Sequence, residues 1–167
     1  MKQTTFLGNP VTLLGEAVSV GNTAKDFTAL AKDLSPVNLY SFADKIKVLT
    51  IFPSLDTSVC ATQVRKFNEE LGSIHENVVV LAISNDLPFA QNRFCSTEGL
   101  NHVVTLSDYK DTDFGLKYGF LIKELRLLTR GVVIIDSNNI IQYVEYVPEV
   151  TNEVDFEGAI QAVKKLI

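Results

Sequence analysis

Val78-Val79-Val80-Leu81-Ala82-Ile83 carries six apolar side chains in succession. A strand with one wet face alternates apolar and polar residues, whereas an unbroken run of this length suits a strand covered on both faces of an α/β sheet. Upstream, Lys47-Val48-Leu49-Thr50-Ile51-Phe52 reads as a second buried strand, and downstream Val103 to Leu106 reads as a third. Between them lie helical patterns, Cys60 to Leu71 and Pro88 to about Ser96. Farther out, Val37 to Ser41, Leu128 to Asp136 and Ile140 to Val147 read as strands. A short helix is expected around Phe114 to Tyr118, and a longer one over Phe156 to Leu166 with Phe156, Ile160, Val163 and Ile167 on one face. Ser137-Asn138-Asn139 reads as an antiparallel hairpin turn, and Gly8-Asn9-Pro10 as another, joining Thr4 to Leu7 with Val11 to Leu14. The expected fold is α/β: a mixed central sheet flanked by helices, with an N-terminal β-hairpin, in one domain over 1–167.

A chain of 167 residues with 46% hydrophobic and 21% charged residues lies far from disordered compositions. Fifteen Lys+Arg against 20 Asp+Glu give a net charge of −5, and no basic run lines up to neutralise phosphates, so nucleic acid is excluded as an expected partner. No apolar stretch approaches the roughly 20 residues of a membrane helix. The start, Met1-Lys2-Gln3-Thr4-Thr5-Phe6-Leu7-Gly8-Asn9-Pro10, is too broken by polar residues to be a secretory signal, and a cytoplasmic location is expected. Cys60 and Cys95 are the two cysteines. In a reducing compartment so sparse a pair is catalytic, redox-sensing or buried more often than a structural staple.

The strand Lys47 to Phe52 runs straight into Pro53-Ser54-Leu55-Asp56-Thr57-Ser58-Val59-Cys60, and an amphipathic helix follows with Cys60, Val64, Phe67 and Leu71 on its apolar side. Cys60 thus falls in a first helical turn, where unpaired N–H groups and the positive end of the helix dipole favour an anion, here the thiolate. Thr57, three residues earlier, can cap this turn or donate to the sulfur. Pro53 fixes the chain direction at the strand end and can wall the sulfur from water. Periodicity alone reads equally well as a small buried cysteine and an ordinary threonine cap.

Pro53-x-x-x-Thr57-x-x-Cys60 after an apolar strand resembles the active-site signature of the peroxiredoxins, and the string Pro53 to Ala61 resembles their thiol peroxidase subgroup. Gly8-Asn9-Pro10-Val11, Asp26-Phe27, Leu87-Pro88-Phe89-Ala90-Gln91-Asn92-Arg93-Phe94-Cys95 and Arg130-Gly131-Val132-Val133-Ile134-Ile135-Asp136 are similar to that subgroup in the same order. The resemblance implies a thioredoxin-like fold, commonly a homodimer, and an atypical two-cysteine peroxidase without cofactor or metal. It implies a peroxidatic role for Cys60, a resolving role for Cys95, and active-site roles for Pro53, Thr57 and Arg130. It also implies hydroperoxide as substrate and thioredoxin as reductant.

The chemistry suits these residue types: a thiolate to attack the terminal peroxide oxygen, donors to hold that oxygen, and a cation for the departing alkoxide. The sulfenic acid so formed condenses with a second thiol. Helical spacing sets Cys95 beside Gln91 and Asn92, away from Ala90 and Phe94, which favours an accessible thiol. Arg65, Arg93 and Arg126 compete with Arg130 as the cation, but only Arg130 holds the subgroup's position. A disulfide needs Cα atoms within about 7 Å, so two cysteines on separate helices imply local unfolding at each turnover.

Three other constellations are weaker. Cys60, Cys95, His75 and His102 lack the short ligand spacings of a zinc site. A cysteine hydrolase lacks a marked oxyanion hole. A thioredoxin-type carrier would need C-x-x-C. The rival from another class is a redox sensor that uses the same disulfide to switch a partner surface.

Overall fold

A computed structural model of the chain describes residues 3–167. Strands β1 (Thr4–Phe6) and β2 (Asn9–Val11) form the N-terminal hairpin. Its turn is tighter than expected: Leu7 and Gly8 both take left-handed φ, 53° and 80°, and Asn9 and Pro10 belong to the second strand. β3 (Leu13–Leu14) leaves the hairpin and pairs with β9 (Leu121–Ile122). Next come β4 (Thr28–Leu30), which the apolar pattern did not reveal, and β5 (Pro36–Asn38). The strand expected over Val37 to Ser41 stops at Asn38 because a 3₁₀ turn, Leu39–Phe42, takes over and buries Leu39. β6 (Ile46–Ile51), α1 (Ser58–Glu70), β7 (Val78–Ser84), α2 (Pro88–Glu98) and β8 (Val103–Ser107) follow closely the segments expected. After α3 (Asp113–Tyr118) come β10 (Gly131–Ile135), β11 (Ile141–Tyr146) and α4 (Phe156–Lys164).

Seven strands make one sheet in the order β11-β10-β6-β7-β8-β4-β5. β6, β7 and β8 are parallel and joined through α1 and α2, while β10 lies antiparallel to both β6 and β11. The mixed sheet expected from the sequence is therefore present, and its parallel centre is the part built from uninterrupted apolar runs. Alternate residues face opposite layers. Leu49, Ile51, Leu81, Ile83, Val133 and Ile135 meet Phe27, Phe114, Tyr118 and Phe120 on one face. Val48, Val80, Val132 and Ile134 meet Phe67 and Leu71 of α1 and Ala159, Ile160 and Val163 of α4 on the other. Each such side chain, fully buried, contributes about 1.5–3 kcal/mol. Ile167, expected on the apolar face of the last helix, is exposed beyond its end. Lys47, at the start of β6, is buried and donates to Asn139 Oδ1 at 2.7 Å, and burial lowers its pKa. No helix among the described residues is long and apolar enough to cross a membrane.

The hairpin is stapled to the segment after β11. Thr5 N–H donates to Pro148 O and Val150 N–H to Thr5 O, each at 2.8 Å. Glu149 accepts from Thr151 Oγ1, Thr151 N, Gly8 N and Thr5 Oγ1. These donors, Thr151 first, hold its carboxyl down to about 2. Because the folded value lies below the unfolded one, this stabilisation is present above the ordinary glutamate range and is lost as pH falls toward 2. Amide exchange at Gly8, corrected for intrinsic rate, is expected to quicken from pH 4.5 down to 2 in the wild type. In Glu149→Gln it should already be fast at pH 7, and equal protection of both proteins across that range would refute the staple.

Candidate active site

β6 delivers the chain to one end of the sheet, and Pro53, buried where the strand stops, turns it outward. Thr57 then caps α1 from an extended conformation, φ −105° and ψ 146°. Its Oγ1 accepts from Cys60 N–H at 3.4 Å and donates its own hydrogen to Ser54 O at 3.1 Å. Of the two roles offered by the sequence, the structure shows the cap: the hydroxyl hydrogen is engaged by a carbonyl and not by the sulfur.

Cys60 is 0% exposed, at the third position of α1. Phe52, Leu55, Val64 and Ala82 enclose it, with Phe94, Leu100 and Val103 packed outside. Into this apolar enclosure, among the described residues, one cation reaches. Arg130, 2% exposed, places Nη2 3.2 Å from Cys60 Sγ. The rest of its guanidinium is fixed by Nη1 donating to Gln63 Oε1 at 2.8 Å and Nε donating to Val150 O at 2.7 Å. Gln63, one turn beyond Cys60, is itself locked by Nε2 donating to Thr50 Oγ1 at 2.7 Å and to Ile51 O at 3.1 Å. The buried guanidinium therefore donates from all three of its nitrogens, and the sulfur is one of its three acceptors.

The structure thus brings together Cys60, Thr57 and Arg130, with Pro53 buried just after the end of β6. Arg130 lies just ahead of β10, since the strand expected from Leu128 begins at Gly131, and Val147 N–H donates to Arg130 O. The competing arginines are elsewhere. Arg65 pairs with Glu98 at 2.8 Å on the outer surface, Arg93 is exposed on α2, and Arg126 is in the β9–β10 connection. Gln63 and Val150 were not singled out from sequence. The signal for Gln63 was a polar residue inside the apolar stripe of α1; a backbone carbonyl such as Val150 O leaves no sequence signal.

Cys95 stands apart, half-buried on α2 and as a free thiol, as is Cys60. It lines a cavity of about 330 Å³ with Lys32, Asn92, Leu100 and Val103. Burial raises its pKa, opposed only by the nearby charge of Lys32. The sequence placed Cys95 beside Gln91 and Asn92 as an accessible thiol; Asn92 is exposed, Cys95 is half-buried, and Gln91 turns inward. Gln91 is fully buried because Nε2 donates to Ser84 Oγ and Leu106 O, while Ala90 and Phe94 are half-buried. Leu100 and Val103 both line the Cys95 cavity and pack on the Cys60 enclosure, and so form a shared wall between the thiols.

A buried thiol held against an arginine at a helix N-terminus, with a second thiol one wall away, is the arrangement of a thiol redox enzyme. Comparisons with known proteins agree. The redoxin family model matches residues 19–161. The thiol peroxidase of Streptococcus sanguinis is 52% identical over 163 residues, covering 98% of this chain and 99% of that protein. The thiol peroxidase of Halalkalibacterium halodurans is 52% identical over 164 residues, 98% of each. Among solved structures, a peroxiredoxin-like protein from Aquifex aeolicus superimposes with a TM-score of 0.92 at 39% identity, over 100% of this chain and 98% of that one. The thiol peroxidase from Chromobacterium violaceum, TM-score 0.86 at 19% identity over 98% and 96% of the two chains, shares the fold. The chain belongs to the redoxin family and, within it, to the thiol peroxidases.

Proposed function

We propose that this protein reduces hydrogen peroxide and organic hydroperoxides through Cys60, resolves the product with Cys95 as an intramolecular disulfide, and is recycled by thioredoxin. The observation that carries the reading is the 3.2 Å contact between Arg130 Nη2 and the buried Cys60 Sγ. The Cys60 thiolate attacks the terminal oxygen of ROOH. As the O–O bond breaks, negative charge moves to RO⁻, which leaves as ROH after taking a proton, and Cys60 becomes a sulfenic acid. Arg130, at the sulfur, supplies positive charge where that negative charge develops. Phe52, Leu55 and Phe94 give the surroundings of the sulfur an apolar character that suits an alkyl group.

Cys95 then displaces water from the sulfenic sulfur, forming Cys60–S–S–Cys95. Burial keeps Cys95 protonated in the closed fold, so it becomes a competent nucleophile when its helix opens to water. A dithiol protein must reopen the disulfide by exchange, and family membership supports thioredoxin in that role. It likewise supports a homodimer working in the reducing cytoplasm.

Consumption of tert-butyl hydroperoxide by the wild type, fed by a thioredoxin system with excess reductant, tests the reading. Continuous turnover is expected, with the Cys60–Cys95 disulfide as the oxidised form. One stoichiometric oxidation without turnover, for every dithiol protein offered, would replace the enzyme by a redox sensor.

A further inference from the structure

The two cysteine segments are joined by an uninterrupted hydrogen-bond chain whose centre is Asp86, in the turn between β7 and α2. Its Oδ1 accepts from Ser54 Oγ at 2.7 Å, and its Oδ2 accepts from Leu55 N–H at 2.9 Å and from Ser84 Oγ at 2.7 Å. On the Cys60 side, Ser54 O accepts from both the N–H and the hydroxyl of Thr57, and Thr57 Oγ1 accepts from Cys60 N–H. On the Cys95 side, Ser84 Oγ accepts from Nε2 of buried Gln91, one helical turn before Cys95. Neither of the two salt bridges among the described residues involves Asp86, so these hydrogen bonds are what hold its carboxylate.

We propose that Asp86 is a positioning residue for disulfide closure: it latches the Cys60 loop to the Cys95 helix in the peroxide-reactive form, and its release lets both segments unwind together. The inference rests on the peroxidatic and resolving roles given above. Two reactions compete for the sulfenic acid. In closure, Cys60–SOH and Cys95–SH give the disulfide and water. In over-oxidation, Cys60–SOH and a second ROOH give Cys60–SO₂H and ROH. Closure requires the latch to open; over-oxidation occurs in the latched form. The latch therefore sets the partition between them. Asn at position 86 keeps the shape but loses the charge and one acceptor, and one charge-assisted hydrogen bond weighs about tenfold in an opening equilibrium.

The full-length reduced protein, its Asp86→Asn variant and its Ser54→Ala variant are exposed to graded tert-butyl hydroperoxide, and mass spectrometry counts disulfide against sulfinic Cys60. The sulfinic fraction at a given dose is expected to fall by about tenfold in Asp86→Asn. Ser54→Ala, which leaves the Leu55 N–H arm in place, should shift it less but in the same direction. A purely structural Asp86 would lower Tm and leave the partition unchanged, and that result overturns the latch while the reading stands. A wild type that never forms the Cys60–Cys95 disulfide overturns both. If Asp86→Asn does not fold, Ser54→Ala decides: an unchanged or increased sulfinic fraction refutes the latch.

Discussion

Cys60→Ser is expected to abolish peroxide consumption entirely, whereas Cys95→Ser should consume one equivalent and stop with Cys60 as a sulfenic acid. The difference follows from where the two sulfurs sit. Cys60 Sγ is the atom that Arg130 faces, inside an enclosure of Phe52, Leu55, Val64 and Ala82. A serine hydroxyl there is protonated at neutral pH and is a weak nucleophile without an adjacent base. No His lies in the enclosure to provide one, since His75 and His102 are both exposed. Cys95 has no part in the first step, so its loss leaves peroxide attack intact. The sulfenic acid then lacks a partner and persists, or passes to the sulfinic acid when peroxide is in excess. Labelling with a sulfenic-acid-specific reagent, alongside the stoichiometry of peroxide consumed, separates the cases. Continued turnover by Cys95→Ser with the thioredoxin system would remove its resolving role, and activity in Cys60→Ser would remove the peroxidatic assignment.

What the sequence revealed follows from how each feature is encoded. β7 matched its run, Val78 to Ser84, because a strand buried on both faces has no polar interruptions to blur its ends. The strand, loop and helix around Cys60 were equally plain, since a proline stop, a threonine cap and a helical stripe are local signals. β4 was invisible because three residues, Thr28–Leu30, carry too little periodicity and meet β8 through one pairing, Leu30 with Ser107. The burial of Gln91 on α2 was not legible because the deciding event is long-range: its side chain goes inside to bond Ser84 Oγ and Leu106 O. The same limit hid the supports of Arg130. Gln63 and Val150 are 67 and 20 residues away from it in sequence, and their convergence exists only once β10 lies beside β6.

Arg130→Lys is expected to slow the reaction of Cys60 with hydroperoxide by about 100-fold although it preserves the charge. The guanidinium uses three nitrogens in three fixed directions, Nε to Val150 O, Nη1 to Gln63 Oε1 and Nη2 to Cys60 Sγ. A lysine ammonium is a single point on a flexible stem and cannot span all three acceptors. If it stays with Gln63 and Val150 it abandons the sulfur; if it reaches the sulfur it leaves two buried oxygens unpaired, each costing about 1–3 kcal/mol. Arg130→Met removes the charge as well and should fall further, with a lower Tm from the same orphaned oxygens. The kinetic signature distinguishes positioning from simple destabilisation. The rate constant for Cys60 oxidation, measured by rapid quench and mass spectrometry on folded protein, should drop, while closure of the disulfide from a preformed sulfenic acid should change little. Closure needs the loop to leave Arg130, so the arginine acts before that step. Equal rates of Cys60 oxidation in the wild type and Arg130→Lys would show that a positive charge suffices there and that the fork held by Gln63 and Val150 has no catalytic consequence.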